Sequence, residues 1–275
     1  MLKVKILGSG CWEAIPAPFC KCRVCKSNDS KDNKTRPQIL IETEKGQFLI
    51  EISPDIRLQS IKHNLNKISN FFISHWHFDH MYGLLELAAW SRIIMKGKIN
   101  LFCSQKTKEW LEKYNFNHIP KKIISIKPFE KIKLLGTEIT PLPVYHMFSQ
   151  DKDLKENELD NVFGFLIEKD GKKIVYFPDY FKVPKKTLDM IKNLDAVIMD
   201  GTYLFEEEFP DKPEQNDLKN DHDHLHGKQI LEFAKSLDAK KIFFHSISHL
   251  SEKTHKEMQK QLPADMFISY DGMEI

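Results

Sequence analysis

Between positions 75 and 80 the chain reads His75-Trp76-His77-Phe78-Asp79-His80, four side chains able to bind a metal within six residues. The preceding run, Asn70-Phe71-Phe72-Ile73-Ser74, is short and apolar, as a buried strand is, and Met81, Leu84, Leu85 and Ala88 after it recur at helical spacing. At a strand end, alternation puts His75 and His77 on one side, and a following turn can present Asp79 and His80 to a neighbouring point. Neutral imidazoles suit zinc, manganese or iron, and the carboxylate adds a hard oxygen donor. A fold that uses this segment must bring further imidazoles and carboxylates to it from distant stretches.

The rest of the chain supplies a scaffold of mixed elements. Alternating or short apolar runs predict strands at 3–7, 38–42, 47–52, 70–74, 99–102, 137–142, 162–168, 172–177, 196–199, 241–244 and 266–269. Helices are predicted at 106–114, 184–193, 226–237 and 252–261, with a further one from a Ser53 N-cap and Pro54 to about Asn64. Turns are expected at Glu44-Lys45-Gly46 and Lys169-Asp170-Gly171. Many strands with interspersed helices make an α+β or layered α/β fold. No Gly/Pro/Ser-rich linker divides the 275 residues, which therefore read as one domain. Two charge-rich aperiodic segments, 149–161 and 206–223, read as solvated loops or as lids over a site.

Composition narrows the function. Lysine and arginine total 41 against 39 acidic residues, and only Arg23, Arg36, Arg57 and Arg92 are arginines, which does not favour a nucleic acid polymer as partner. No apolar run approaches the roughly 20 residues that span a bilayer, and the N-terminus lacks the pattern of a signal peptide, so a cytoplasmic location is expected. Residues from Gly8 to about Pro37 lack apolar periodicity and need a restraint other than a core. Three of the five cysteines, Cys20, Cys22 and Cys25, fall in that stretch with the spacing C-x-C-x2-C, which suits zinc once a fourth ligand closes the tetrahedron. Cys11 and Cys103 read as ordinary thiols.

The H-x-H-x-D-H segment after a buried strand resembles the signature of the metallo-β-lactamase fold superfamily. More specifically, the chain resembles the phosphoribosyl cyclic phosphodiesterase (PhnP-like) branch. The matching stretches are Gly8-Ser9-Gly10, Ile15-Pro16, Cys20 to Cys25, Pro141 to His146, Phe177-Pro178-Asp179, Ile247-Ser248-His249 and Tyr270 to Ile275. The resemblance implies an αββα sandwich with a metal site along one edge. It implies that His75, His77 and His146 hold one cation, Asp79 and His80 a second, and that Asp179 bridges them. It also implies His249 as the fourth ligand of a structural zinc with Cys20, Cys22 and Cys25. His224 stands where the branch has a histidine at the substrate phosphate, implying a general acid or phosphate clamp, with Asp79 as the other catalytic residue.

At one position the chain departs from the branch: Ser246 occupies the place of a metal-binding histidine, and His245 lies one residue earlier. Either a local bulge lets His245 reach the second cation, or that site lacks a nitrogen ligand. The expected activity is a metal-dependent phosphodiesterase, with zinc or manganese at the edge, acting on a small cyclic phosphodiester through a metal-bound hydroxide. An acyl hydrolase for lactones or thioesters on the same fold, and a metal- or partner-binding protein with a depleted second site, are the alternatives. Members of the family often form dimers, so a homodimer is open here by analogy alone, and the sequence itself does not give the oligomeric state.

Overall fold

The computed structural model describes all residues except 66–67, 95, 97–98, 117–118, 120–121, 147–161 and 207–223. The two expected lid segments therefore lie, apart from Glu206, outside the described residues. One sheet has six strands in chain order: β1 (Lys3–Gly8), β2 (Gln38–Thr43), β3 (Gly46–Ile50), β4 (Asn70–Phe72), β5 (Asn100–Cys103) and β6 (Lys122–Ser125). The other has seven: β7 (Ile132–Leu134), β8 (Thr137–Val144), β9 (Val162–Lys169), β10 (Lys172–Tyr176), β11 (Ala196–Asp200), β12 (Ile242–His245) and β13 (Met266–Ile268), in spatial order from β13 to β7. The helices are α1 (Ile56–Lys62), α2 (Phe78–Met81), α3 (Leu84–Ile93), α4 (Gln105–Lys113), α5 (Lys185–Met190), α6 (Gly227–Ser236) and α7 (His255–Gln259).

Period-two alternation explains the layering. Ile39 and Ile41 of β2, Phe48 and Ile50 of β3, and Phe72 of β4 meet Phe163, Phe165 and Ile167 of β9 and Ile174 and Tyr176 of β10 in one core between the sheets. The intervening residues turn outward. Leu40, Leu49 and Phe71 pack with Ile56, Leu84, Leu87 and Leu111 of the helices on one side, and Val175, Val197, Met199 and Phe244 pack with Ile230, Ala234 and Met258 on the other. The result is helix, sheet, sheet, helix, as expected.

Local sequence sets the joints. Asp170 and Gly171, both with positive φ, form a two-residue turn between Lys169 and Lys172, the geometry that matches strand twist in a tight hairpin. Pro141 and Pro143 lie in β8, which β9 pairs from Glu138 to Val144 but β7 pairs only from Thr137 to Ile139, so the missing amide protons fall on an edge that no strand covers. Some boundaries differ from expectation. Ser53 does not cap α1; its hydroxyl accepts from the Asp55 amide, and Asp55 is the N-cap. Helix α7 starts three residues later than predicted because Thr254 caps it and exchanges hydrogen bonds with Glu257.

The stretch from Gly8 to Pro37 is restrained, though almost without regular structure. Asp271 accepts four hydrogen bonds, from the Ser9 amide (2.9 Å) and hydroxyl (2.8 Å) and from the Thr35 amide (2.8 Å) and hydroxyl (2.6 Å). It thereby pins both ends of the loop beside the last strand. Asp32 accepts from the amide of His255 at the start of α7 (2.6 Å), and buried Lys34 donates to the Ser269 carbonyl.

Candidate metal centre

The C-terminal ends of β8, β10, β11 and β12 share one margin of the second sheet, because β10 to β12 are parallel and β8 runs in the same direction two strands away. His146 follows β8, Asp179 follows β10, and Asp200 and His245 end β11 and β12. From the first sheet, β4 stops at Phe72, two residues short of expectation, so His75 and His77 are carried by the connecting loop rather than by the pleat. His77 is the extended N-cap of α2, whose first turn presents Asp79 and His80.

Donor atoms of His75, His77, His146 and Asp179 lie within 4.8 Å of one another, and those of Asp79, His80 and Asp179 form a second such set. Asp179 belongs to both sets. His146 Nε2 is 3.2 Å from His77 Nδ1, and His80 Nε2 is 3.2 Å from Asp79 Oδ2 and 3.3 Å from Asp179 Oδ2. His75 Nε2 and both nitrogens of His80 are nonetheless buried without a hydrogen bond, since the His80 contacts are close but misaligned. Buried imidazole nitrogens left unsatisfied cost about 1–3 kcal/mol each, and several converging on one point fit a cation.

The electrostatics agree. Burial pushes His75 and His77 below the ordinary imidazole range, which keeps them neutral as a ligand must be. Burial opposes charge on His80 as well, but Asp79, Asp179 and Glu51 outweigh it and hold its proton well above the usual range. Burial would raise Asp179, yet His80, His224 and His146 carry it well below an ordinary carboxylate. The carboxylates thus demand positive charge at this place, and a divalent cation would supply it.

Two supporting residues escaped sequence reasoning. Glu51, buried and in a left-handed backbone conformation (φ 69°), faces His80 Nδ1 with Oε1 at 3.3 Å and accepts from the Ser74 amide with Oε2. Nothing in the sequence marks it. Asp200 lies 2.6 Å from His224 Nδ1 through Oδ2, while its Oδ1 accepts from the Thr202 amide (2.9 Å) and hydroxyl (2.6 Å). Its position directly after the apolar run 196–199 repeats the strand-then-donor pattern of His75 and is the signal that could have found it. Asp179, Asp200 and His224 also lie within cation-sharing distance, but both Asp200 oxygens are already engaged. His224 stands beside the cluster, its ring centroid 5.1 Å from that of His146.

His245 does not join the two sets. Its Nε2 is 2.9 Å from the Gly8 carbonyl and its Nδ1 is 3.0 Å from the Ser246 hydroxyl. Ser246 has a φ of 57°, so the chain does kink here, but the kink turns the Ser246 hydroxyl onto the His245 ring and brings no ligand to the second cation. Of the two sequence alternatives, the geometry matches the missing nitrogen, and His245 is corrected from candidate ligand to a tie between β12 and the end of β1.

The cysteine cluster assembles across the chain. Cys20, Cys22, Cys25 and His249 form a third donor set, with His249 Nδ1 at 3.6 Å from Cys20 Sγ and 3.7 Å from Cys22 Sγ. These spacings suit the corners of a tetrahedron with bonds of about 2.0–2.3 Å. The amides of Ala17, Cys22 and Cys25 point at Cys25, Cys20 and Cys22 sulfur, and such donors favour thiolates. Cys11 and Cys103 are buried elsewhere.

Residues 47–246 match the family described as the beta-lactamase superfamily domain, and the layered fold with its edge of histidines and aspartates is that of the superfamily's metal-dependent members. The chain belongs to the metallo-β-lactamase superfamily. Within this superfamily, whose members are largely metal-dependent hydrolases, a diphosphatase from the PhnP family superposes with a TM-score of 0.80 at 26% identity, covering 100% of this chain and 96% of that one. Zn(2+)-bound PqqB from Methylobacterium extorquens superposes with a TM-score of 0.78 at 19% identity over 99% of both chains. An octanoyltransferase from Porphyromonas gingivalis is 30% identical over 153 residues, which are 51% of this metallo-β-lactamase chain and only 30% of that protein. Among the described residues no helix is long and apolar enough to cross a membrane.

Proposed function

We propose that the chain is a metal-dependent hydrolase of a P–O bond in a small molecule, most directly a cyclic phosphodiester. The observation that carries this reading is the convergence of two cation-binding sets on Asp179 with the His224–Asp200 pair beside them. Cations held by His75, His77, His146 and Asp179, and by Asp79, His80 and Asp179, would lower the pKa of water and neutralise charge developing on the phosphoryl oxygens. Asp79 orients the attacking water and takes its proton through the carboxylate oxygen not turned toward His80. Asp200 accepts a hydrogen bond from His224 Nδ1–H, which fixes the ring plane and favours the imidazolium, and the Nε2 proton of that imidazolium passes to the leaving oxygen. Glu51 and the Ser74 hydroxyl hold the rings of His80 and His75 from behind. The cysteine cluster, on this reading a structural zinc site, keeps the loop from Gly8 to Pro37 against the same margin.

The PhnP-family diphosphatase favours a second substrate of the same chemistry, a diphosphate. Purified protein supplied with Zn2+ or Mn2+ and offered a 2′,3′-cyclic nucleotide, bis(p-nitrophenyl) phosphate, a nucleotide diphosphate and a lactone decides the matter. Hydrolysis of the cyclic nucleotide is expected, and turnover of the diphosphate alone selects the second reading. Hydrolysis of the lactone alone, or of nothing by metal-loaded protein, overturns the proposal.

A further inference from the structure

The two donor sets that share Asp179 are unequal. The first presents three imidazoles and one carboxylate, four donors for a single ion. The second presents one imidazole and two carboxylates, and one of its three donors is the shared residue. The imidazole that the sequence offered to complete it is spent: His245 is fully buried and has Nε2 on the Gly8 carbonyl and Nδ1 on the Ser246 hydroxyl. Rotating that ring toward the cluster would leave the Gly8 carbonyl unpaired and break the contact that joins β12 to β1. The shared carboxylate adds to the imbalance, because a cation in the first set already draws on the charge that Asp179 offers the second.

We infer that the centre is graded: His75, His77, His146 and Asp179 retain one zinc ion, whereas Asp79, His80 and Asp179 hold a second cation exchangeably and accept manganese there when zinc is scarce. This rests on the proposed function only in taking both sets as cation sites. The nitrogen-rich set suits zinc, while the oxygen-rich, open set leaves positions for water and tolerates a harder ion. Manganese therefore governs how much of the protein carries a full pair, and the second ion equilibrates with the medium while the first does not.

The test counts metal in the full-length protein. Zinc-loaded protein is dialysed against metal-free buffer, analysed by inductively coupled plasma mass spectrometry, and then titrated with Mn2+ while its electron paramagnetic resonance signal reports free and bound ion. The expected result is two zinc ions retained per chain, one of them lost in Cys22→Ser and so assigned to the cysteine cluster. One manganese ion then binds, and a second dialysis against metal-free buffer removes it while both zinc ions stay. Asp79→Asn should abolish the manganese site and leave both zinc ions, whereas His77→Gln should release the edge zinc. Three zinc ions retained by the unaltered chain, or release of the edge zinc by Asp79→Asn, overturns the graded centre while leaving the proposed function standing. A chain that holds cations only at its cysteines removes both.

Discussion

His224 and Asp200 form the pair whose roles separate most cleanly. The histidine faces the cluster, but its contact at 2.6 Å is with an aspartate whose other oxygen is held by Thr202. Replacing His224 by alanine should lower kcat by about 10²–10⁴-fold, the usual worth of a positioned proton donor, with edge-metal content unchanged by mass spectrometry. Asp200→Asn should lower kcat in the same direction by less, because the ring remains and only the support for its charge is lost. Asp271 makes a structural counterpart. Its four accepted hydrogen bonds join both ends of one loop, and Asp271→Ala should cost about 3 kcal/mol in a urea unfolding series, since buried donors at Ser9 and Thr35 lose a charged acceptor. The sequence made His75, His77, Asp79 and His80 legible because they crowd one segment. It left Glu51 unmarked, because a single acid at a strand end has no neighbouring donor to betray it, and it marked Asp200 only by its place after an apolar run.

At the scale of elements, the loop from Gly8 to Pro37 behaves as a part held by side chains rather than by ladders. Apart from the reciprocal pair between Ile15 and Lys34 and the bond from the Gly10 amide to the Thr35 carbonyl, its own backbone hydrogen bonds reach no more than four residues, and its other fixed points are the cysteine cluster, Asp32, Lys34 and Asp271. Cys22→Ser, or removal of zinc by a chelator, should expose residues between Cys11 and Asn33 to protease while the strands stay protected; mapping the first cleavage sites by mass spectrometry checks this. Apolar runs located most strands, including β2, β3, β9, β10 and β11, because both faces of each are largely buried. β6 and β7 passed unnoticed: both are short edge strands with half-exposed or exposed side chains, so packing writes no pattern into them. The loop carriage of His75 and His77 was hidden for another reason, since Ile73 and Ser74 are as buried as the strand they follow.

For the molecule as a whole, buried histidines away from the two cation sets set the response to acid. His255 packs edge-on against Tyr270 (5.6 Å between centroids) with its Nδ1 unpaired, and burial lowers its pKa to about 4; burial does the same to His245. An unfolded histidine takes its proton near pH 6.5, so between roughly 6.5 and 4 the unfolded chain binds protons that the folded one refuses. Stability should therefore fall with acid across that window, by up to about 3 kcal/mol for each such residue. His255→Phe keeps a ring against Tyr270 and removes the titration, so its thermal midpoint should change little at pH 7 and fall less steeply toward pH 4, as differential scanning calorimetry in a pH series would record.

The tie between the first loop and the last strand also fixes an order of events during synthesis. Cys20 waits 229 residues for His249, and Thr35 waits 236 for Asp271. The loop that flanks the metal centre therefore leaves the ribosome long before either partner exists, with three thiols free to meet any passing ion or oxidant. Whatever guards those thiols during translation decides how many finished chains can close their final fastening.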